Sequence, residues 1–417
     1  MNHGTADSQP RFFVSADWSK DPRKRSVYVA DLSERLIYRE ARSGWALPSL
    51  MALARQLSKQ GSVLVGVDLV LGVPQSYWKL VLAESRYGQP ATFIDCLSGL
   101  GDNGGFFDPS KRVYDHREWR VERPWFHVPR GPGGLTSFKE KADDGFLRRI
   151  DHATGAKPLF VVSGIPGTVG SGTRDFWREL STCLASDRDF VVWPFDGRLA
   201  ELLRTNRIVL AETYPGLAYG AALASDLPTE RFAIGKTKPE ERNRACDLLA
   251  EAAWIDAHGV RLGELAPARD DEDDFDAHLT AAAVLRCYLD GTPVVDEEWV
   301  DPIAEGSMLL AGPVDPNRRS KALSAPGSRS AQAGLHLQAP VATTRKQRIR
   351  QSPQPAPRQK TDYSCPIPGC TKVFHGSRGG WDAHVASPRK HPGWYADVKS
   401  PQVRKELFKR DFGNWFR

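Results

Sequence analysis

The chain of 417 residues is 41% hydrophobic and 26% charged, ordinary proportions for a soluble globular protein with room for two or three domains. No apolar run reaches bilayer-spanning length, and the opening MNHGTADSQP lacks the basic-then-apolar order of an export signal, which excludes a membrane protein and predicts a cytoplasmic one. The net charge of +6 hides an asymmetry, because residues 311–417 carry 20 Lys and Arg against 6 Asp and Glu while residues 1–310 sum to −8.

Residues 1–10 carry no pattern and are expected to be disordered. From Arg11, RFFVSA, SVYVAD and RLIYRE read as three short strands with tight connections. WALPSLMALARQLSKQG places Leu47, Leu50, Met51, Ala54 and Leu57 on one helical face and stops at Gly61. VLVGVDLV is apolar almost throughout, as in a parallel strand covered on both faces. Residues 98–157, including DHREWRVERPWFHVPRGPGG, are rich in Gly, Arg and aromatics and read as an insertion or lid. PLFVVSG, FVVWPF and RIVLAETYP follow as strands, and DDFDAHLTAAAVLRCYLDG as a buried helix opened by acids. This order predicts an α/β domain over residues 11–310 with a mixed sheet flanked by helices. Residues 311–361 are rich in Pro, Ser, Gln, Ala and Arg, the composition of a disordered basic linker. Residues 362–417 form a small module with a basic tail. That tail predicts a polyanionic partner, a solvated linker being the alternative.

Four acidic positions fall at the ends of these elements. Asp17 closes the first strand, Asp68 lies inside VGVDLVLGVP, Glu212 ends RIVLAE, and Asp273, Asp274 and Asp276 open the last long helix. Each has a structural explanation. Asp17 could head a turn with Ser19, Asp68 could bond a loop amide, Glu212 could pair with an arginine such as Arg207, and the helix acids could cap. Asp68 is the hardest to explain in this way, since a lone carboxylate in an apolar strand is costly. Parallel strands place their ends on one side of the sheet, where ligands bind. Carboxylates gathered there repel one another, and a hard cation such as Mg²⁺ or Mn²⁺ relieves the repulsion. Two such ions, about 3.5–4 Å apart, stabilise an in-line phosphoryl displacement.

Asp17 after the first strand, VGVDLVLGVP, VSGIPGTVGSGT, VVWPFDG, AETYP and DDFDAHLTA, in that order, resemble the domain-of-unknown-function 429 family. Its members are predicted ribonuclease H-like nucleases, related in fold to Holliday-junction resolvases, and the resemblance covers roughly residues 11–295. It implies a ribonuclease H-like fold with Asp17, Asp68, Glu212 and Asp276 as the metal-binding catalytic set and Asp273 as an alternative ligand. The first strand lacks the D-x-G-x-T pattern of actin-like ATPases. VSGIPGTVGSGTRD has no Gly-Lys-Ser/Thr and is not a nucleotide P-loop. Its glycines predict a demanding turn near the active face, with substrate contact as a further role. No Gly-x-Ser-x-Gly elbow is present. In the insertion, Arg117, Trp119, Arg120, Arg123, Trp125 and Phe126 interleave cations and aromatics, and Arg120, Arg123 and Trp125 are candidate substrate contacts on a nucleic-acid strand. A local aromatic cluster with solvated arginines is the alternative.

Of six cysteines, Cys96, Cys183, Cys246 and Cys287 are isolated and read as small hydrophobes. Cys365 and Cys370, spaced C-x4-C, precede His384 and His391 and read as zinc ligands. With Tyr363, Phe374 and Trp381 at the expected hydrophobic positions, the segment resembles a two-Cys, two-His zinc finger of ββα form. Its His–His gap of six exceeds the usual three to five, and His375 is a substitute ligand. The finger and tail would add nucleic-acid affinity or dock a protein. The reading is therefore a nuclease dependent on Mg²⁺ or Mn²⁺, cleaving phosphodiester bonds in DNA or RNA, with a structural Zn²⁺ in a finger that aids substrate engagement. The alternative is a catalytically inactive ribonuclease H-like adaptor that binds nucleic acid or protein. Geometry discriminates: the four carboxylates should converge, and if Asp68 and Glu212 point to opposite faces the nuclease reading fails.

Overall fold

The computed structural model describes residues 9–100, 104–109, 120–128, 146–163, 168–186, 188–205, 207–318 and 320–322. In the C-terminal part it describes 362–365, 370, 373–375, 384, 407–408 and 410–411. The chain divides into two units, Met1–Ser330 and Ala331–Arg417.

The first three predicted strands form as β1 (Phe12–Asp17), β2 (Ser26–Asp31) and β3 (Leu36–Arg39). Helix α1 (Leu47–Ser58) buries Leu47, Leu50, Met51, Ala54 and Leu57, the stripe its spacing predicts. Strand β4 (Val63–Asp68) follows. Helices α2 (Gln75–Ala83), α3 (Phe93–Leu100) and α4 (Gly170–Ala185) lead to the edge strand β5 (Val191–Val192) and to β6 (Ile208–Glu212). Then come α5 (Pro215–Leu223), α6 (Pro239–Ala250), the edge strand β7 (Arg261–Leu262) and α7 (Glu272–Leu289).

The sheet runs in the order β7-β3-β2-β1-β4-β6-β5. β2 is antiparallel to both neighbours and every other pairing is parallel, so the sheet is mixed. One face, with Val14, Val65 and Leu210, packs under α1 and α4. The other, with Phe13, Leu64 and Val209, packs under α5 and α7. Covering on both faces explains why VLVGVD is apolar at both phases of its alternation. PLFVVSG gives the strand Val161–Ser163, which pairs with Phe126–His127 outside this sheet.

The expected boundary at 310 falls inside the folded unit. Ala311 and Val314 are buried in the core, and Lys321–Ala322 pairs with Phe232–Ala233. The segment lacks periodicity because it packs as irregular chain, its contacts set by tertiary fit. In the second unit, Asp362–Ser364 pairs antiparallel with Val373–His375. Among the described residues no helix is long and apolar enough to cross a membrane.

Candidate functional site

Asp17 and Asp68 are direct partners in the parallel β1–β4 ladder. Partners across a ladder point to the same face. Alternation from Phe13 and Leu64 makes that the face beneath α7. From α7, Asp276 reaches the same point, and one carboxylate oxygen from each of the three lies within 4.8 Å of the others. Gly66, one pleat before Asp68, is required by this approach. A Cβ there would lie 2.5 Å from Thr213 Cγ2 and 2.7 Å from Phe13 Cζ.

Asp17 and Asp276 are 6% and 1% exposed, with Asp68 half-buried. Burial first, and then the charge on Asp68, holds the Asp17 carboxyl well above the usual range. Burial, reinforced by Asp276, pushes Asp68 up to about 6. Asp276 is raised by burial against the opposing influence of Lys236 and Tyr219. Tyr219 Oη–H donates to Asp276 Oδ1, and the Lys236 ammonium donates to Oδ2. Asp17 is met by the carboxyl groups of Asp68 and Asp273, and no N–H or hydroxyl donor among the described residues bonds its side chain. Asp273 is half-buried, its carboxyl raised by burial and by Asp271. Burial and then Asp68 raise the Tyr214 phenol.

The other helix acids are spoken for. Asp271 caps α7, accepting from the amides of Asp273 and Asp274 at 2.9 and 3.2 Å. Asp274 holds Arg39 through two bonds of 2.6 and 3.0 Å.

Glu212 does not join the aspartates. Its ladder partner is Val67 and not Asp68, so its side chain points to the opposite face. There Arg148, fully buried, donates to both its oxygens at 2.6 and 2.7 Å, and Asp151 flanks the guanidinium at 2.9 Å. The amide of Leu71 adds a third bond at 2.7 Å. Burial pushes the Glu212 carboxyl up and the guanidinium opposes it. The expected four-carboxylate set is corrected to three, because β6 meets β4 one residue out of phase. The residue of β6's continuation on the aspartate face is Thr213, as its closeness to Gly66 shows. The pairing foreseen with an arginine holds, with Arg148 in place of Arg207.

Trp18 is a packing residue, edge-on to Phe176 with a centroid separation of 5.2 Å and with Arg25 stacked over it at 4.2 Å. Trp125 is likewise no stacking platform. It is fully buried, 5.2 Å from Phe160 and 5.3 Å from Trp177 between ring centroids. Arg120 and Arg123 are exposed, and Arg123 Nε donates to the carbonyl of Asp108 at 3.0 Å. Arg117 and Trp119 lie outside the described residues, as do Gly164 and Gly167. Gly170 and Gly172 serve close approach. A Cβ at Gly170 would lie 2.2 Å from the Val161 carbonyl oxygen, and one at Gly172 would lie 3.0 Å from that of Trp18.

In the second unit, Cys365, Cys370 and His384 bring one donor atom each within 4.8 Å of one another, with Cys370 Sγ 3.3 Å from His384 Nε2. His391, the fourth expected ligand, lies outside the described residues. Lys236, Tyr219 and Tyr214 were missed in sequence, although Tyr214 stands beside Glu212 in the same AETYP motif. Comparison with family models, curated proteins and solved structures finds no match to this chain.

Proposed function

We propose that the chain is a divalent-cation-dependent phosphodiester hydrolase with a ribonuclease H-like body, acting on nucleic acid. The convergence of Asp17, Asp68 and Asp276 within 4.8 Å carries the reading. The four-carboxylate nuclease expected from the sequence fails its own geometric criterion, since Glu212 and Asp68 lie on opposite faces; the reading proposed is a different, three-aspartate one, with Asp273 as a neighbouring carboxylate. The mixed sheet flanked by helices is the α/β architecture expected from the sequence, and the meander of β1, β2 and β3 continued by parallel strands supports the ribonuclease H-like reading.

The donor set fits Mg²⁺ or Mn²⁺: all its ligand atoms are hard carboxylate oxygens, and buried Asp17 has no bonding donor of its own among the described residues. Such an ion, when bound, orients water and stabilises charge on phosphoryl oxygens. Asp17 and Asp68 hold it, while Tyr219 and Lys236 fix the orientation of Asp276. Cys365, Cys370 and His384 suit Zn²⁺, whose structural sites take thiolates and imidazoles. The basic tail adds sequence-independent affinity for nucleic acid through counterion release.

The lysine already seated on Asp276 favours a second reading, an inactive binding protein in which Lys236 balances part of the acidic charge. One assay separates the two. A panel of single- and double-stranded DNA and RNA is incubated with Mg²⁺ or Mn²⁺ and wild type or Asp68→Asn. Cleavage by wild type alone supports hydrolysis, and equal activity, or none in either, refutes it.

A further inference from the structure

Lys236 belongs to AIGKTKPEE, a segment with no recognisable motif, yet its ammonium is bonded to a carboxylate of the candidate site. It is a built-in charge rather than a surface lysine that has swung inward. Arg242, 5% exposed on α6, donates through Nη1 to the Lys236 carbonyl. The same guanidinium donates to the carbonyls of Arg269 and Asp270, both at 3.0 Å, just before the cap of α7. Glu241 accepts from the Gly235 amide at 2.5 Å and so fixes the other side of the turn. One buried arginine thus sets the lysine and the helix that carries Asp276 relative to each other.

The two sides of the cluster differ. Both oxygens of Asp276 already accept, one from Tyr219 and one from Lys236, whereas Asp17 accepts from no such donor among the described residues. Paired with Asp276, its ammonium is a positive charge fixed at the edge of the cluster. A second divalent ion at the usual separation would sit next to this charge with little water to screen it. The side chain is 36% exposed, so it is reached by solvent as well as by Asp276.

We propose that the site holds a single divalent cation on Asp17 and Asp68, and that Lys236 stands in the position a second cation would take. This rests on the hydrolase reading and sharpens it. The test counts Mn²⁺ bound to the full chain by electron paramagnetic resonance of the free ion, with zinc supplied to fill the thiolate site. Variants Asp68→Asn, Lys236→Gln and Lys236→Arg are measured beside wild type, with circular dichroism as the check on folding.

One ion in wild type and in Lys236→Arg, two in Lys236→Gln and none in Asp68→Asn is the expected result. Two ions in wild type, or a single ion in folded Lys236→Gln, overturns the lysine assignment and leaves the hydrolase intact. Identical binding by wild type and Asp68→Asn overturns both. If Lys236→Gln does not fold, the wild-type count decides alone, one ion supporting the assignment and two overturning it.

Discussion

Replacing Asp68 by Asn should stabilise the protein when no divalent ion is present. Burial and Asp276 hold the Asp68 carboxyl at about 6, against an ordinary value of 3.8. A tenfold change in proton affinity corresponds to about 1.4 kcal/mol, so keeping this group ionised in the fold costs about 3 kcal/mol at pH 7.5. The sign follows from the direction of the change. Because the folded value is raised, the folded state binds more protons between pH 4 and 6, and stability falls as pH rises through about 6. Asn has the same shape and no charge. At pH 7.5 in chelator, Asp68→Asn should therefore melt about 5 °C above wild type, taking ~2 °C per kcal/mol for a domain of this size. Near pH 4 the difference should close. Added Mg²⁺ should stabilise wild type by about 2.7 kcal/mol at a hundredfold excess over its dissociation constant and leave the variant unmoved. Thermal melts at pH 4, 6 and 7.5, with chelator or Mg²⁺, measure all three effects. A variant less stable than wild type in chelator at pH 7.5, or an equal Mg²⁺ response in both, refutes the reasoning.

Glu212→Gln should leave the Mn²⁺ count unchanged yet cost about 1.5–3 kcal/mol in denaturant melts, because the buried Arg148 loses one of its two carboxylate partners and keeps only Asp151; a lost ion with intact stability would return Glu212 to the site. Trp125→Ala should destabilise by about 3–5 kcal/mol through the cavity it leaves among Phe160 and Trp177, whereas a surface stacking residue would lower nucleic-acid affinity with no change in melting. Cys370→Ser should release zinc from the purified chain, read with a colorimetric chelator, while Mn²⁺ uptake at the aspartates stays the same; unchanged zinc content refutes the thiolate site.

The aspartates were legible because an acid inside an apolar strand is expensive, and Asp17 and Asp68 each end such a strand. The opening of the buried helix offered Asp273, Asp274 and Asp276 alike, and only the family resemblance singled out Asp276. Glu212 was equally visible and misplaced, because strand ends can be read from sequence whereas ladder register cannot. A shift of one residue sends a side chain to the other face. Trp125 was ambiguous for a different reason: an aromatic among arginines has the same composition whether its ring stacks on a ligand or fills a core. Lys236 left no local trace. Its partner lies 40 positions away and is reached only through the fold.

Hydrogen-bond supply sets Asp17 and Asp68 apart from the other acids near element ends. Asp31, Asp271 and Asp274 all lie near strand or helix ends, and each is satisfied: Asp31 by the amides of Ser33 and Glu34, Asp271 by those of its own helix, Asp274 by Arg39. Glu212 is as buried as any and has three donors on its two oxygens. Such carboxylates offset their desolvation locally and have little left to offer a ligand. Asp17 and Asp68 have no N–H donor among the described residues; their carboxyl groups meet each other, and burial and repulsion within the cluster raise both. Two such groups stay side by side only if their charge is neutralised, by a shared proton or by a bound cation. Lys236 supplies one positive charge, and it sits on Asp276. Under the proposed hydrolase function, Asp17 and Asp68 are the pair whose charge a cation from solution would neutralise.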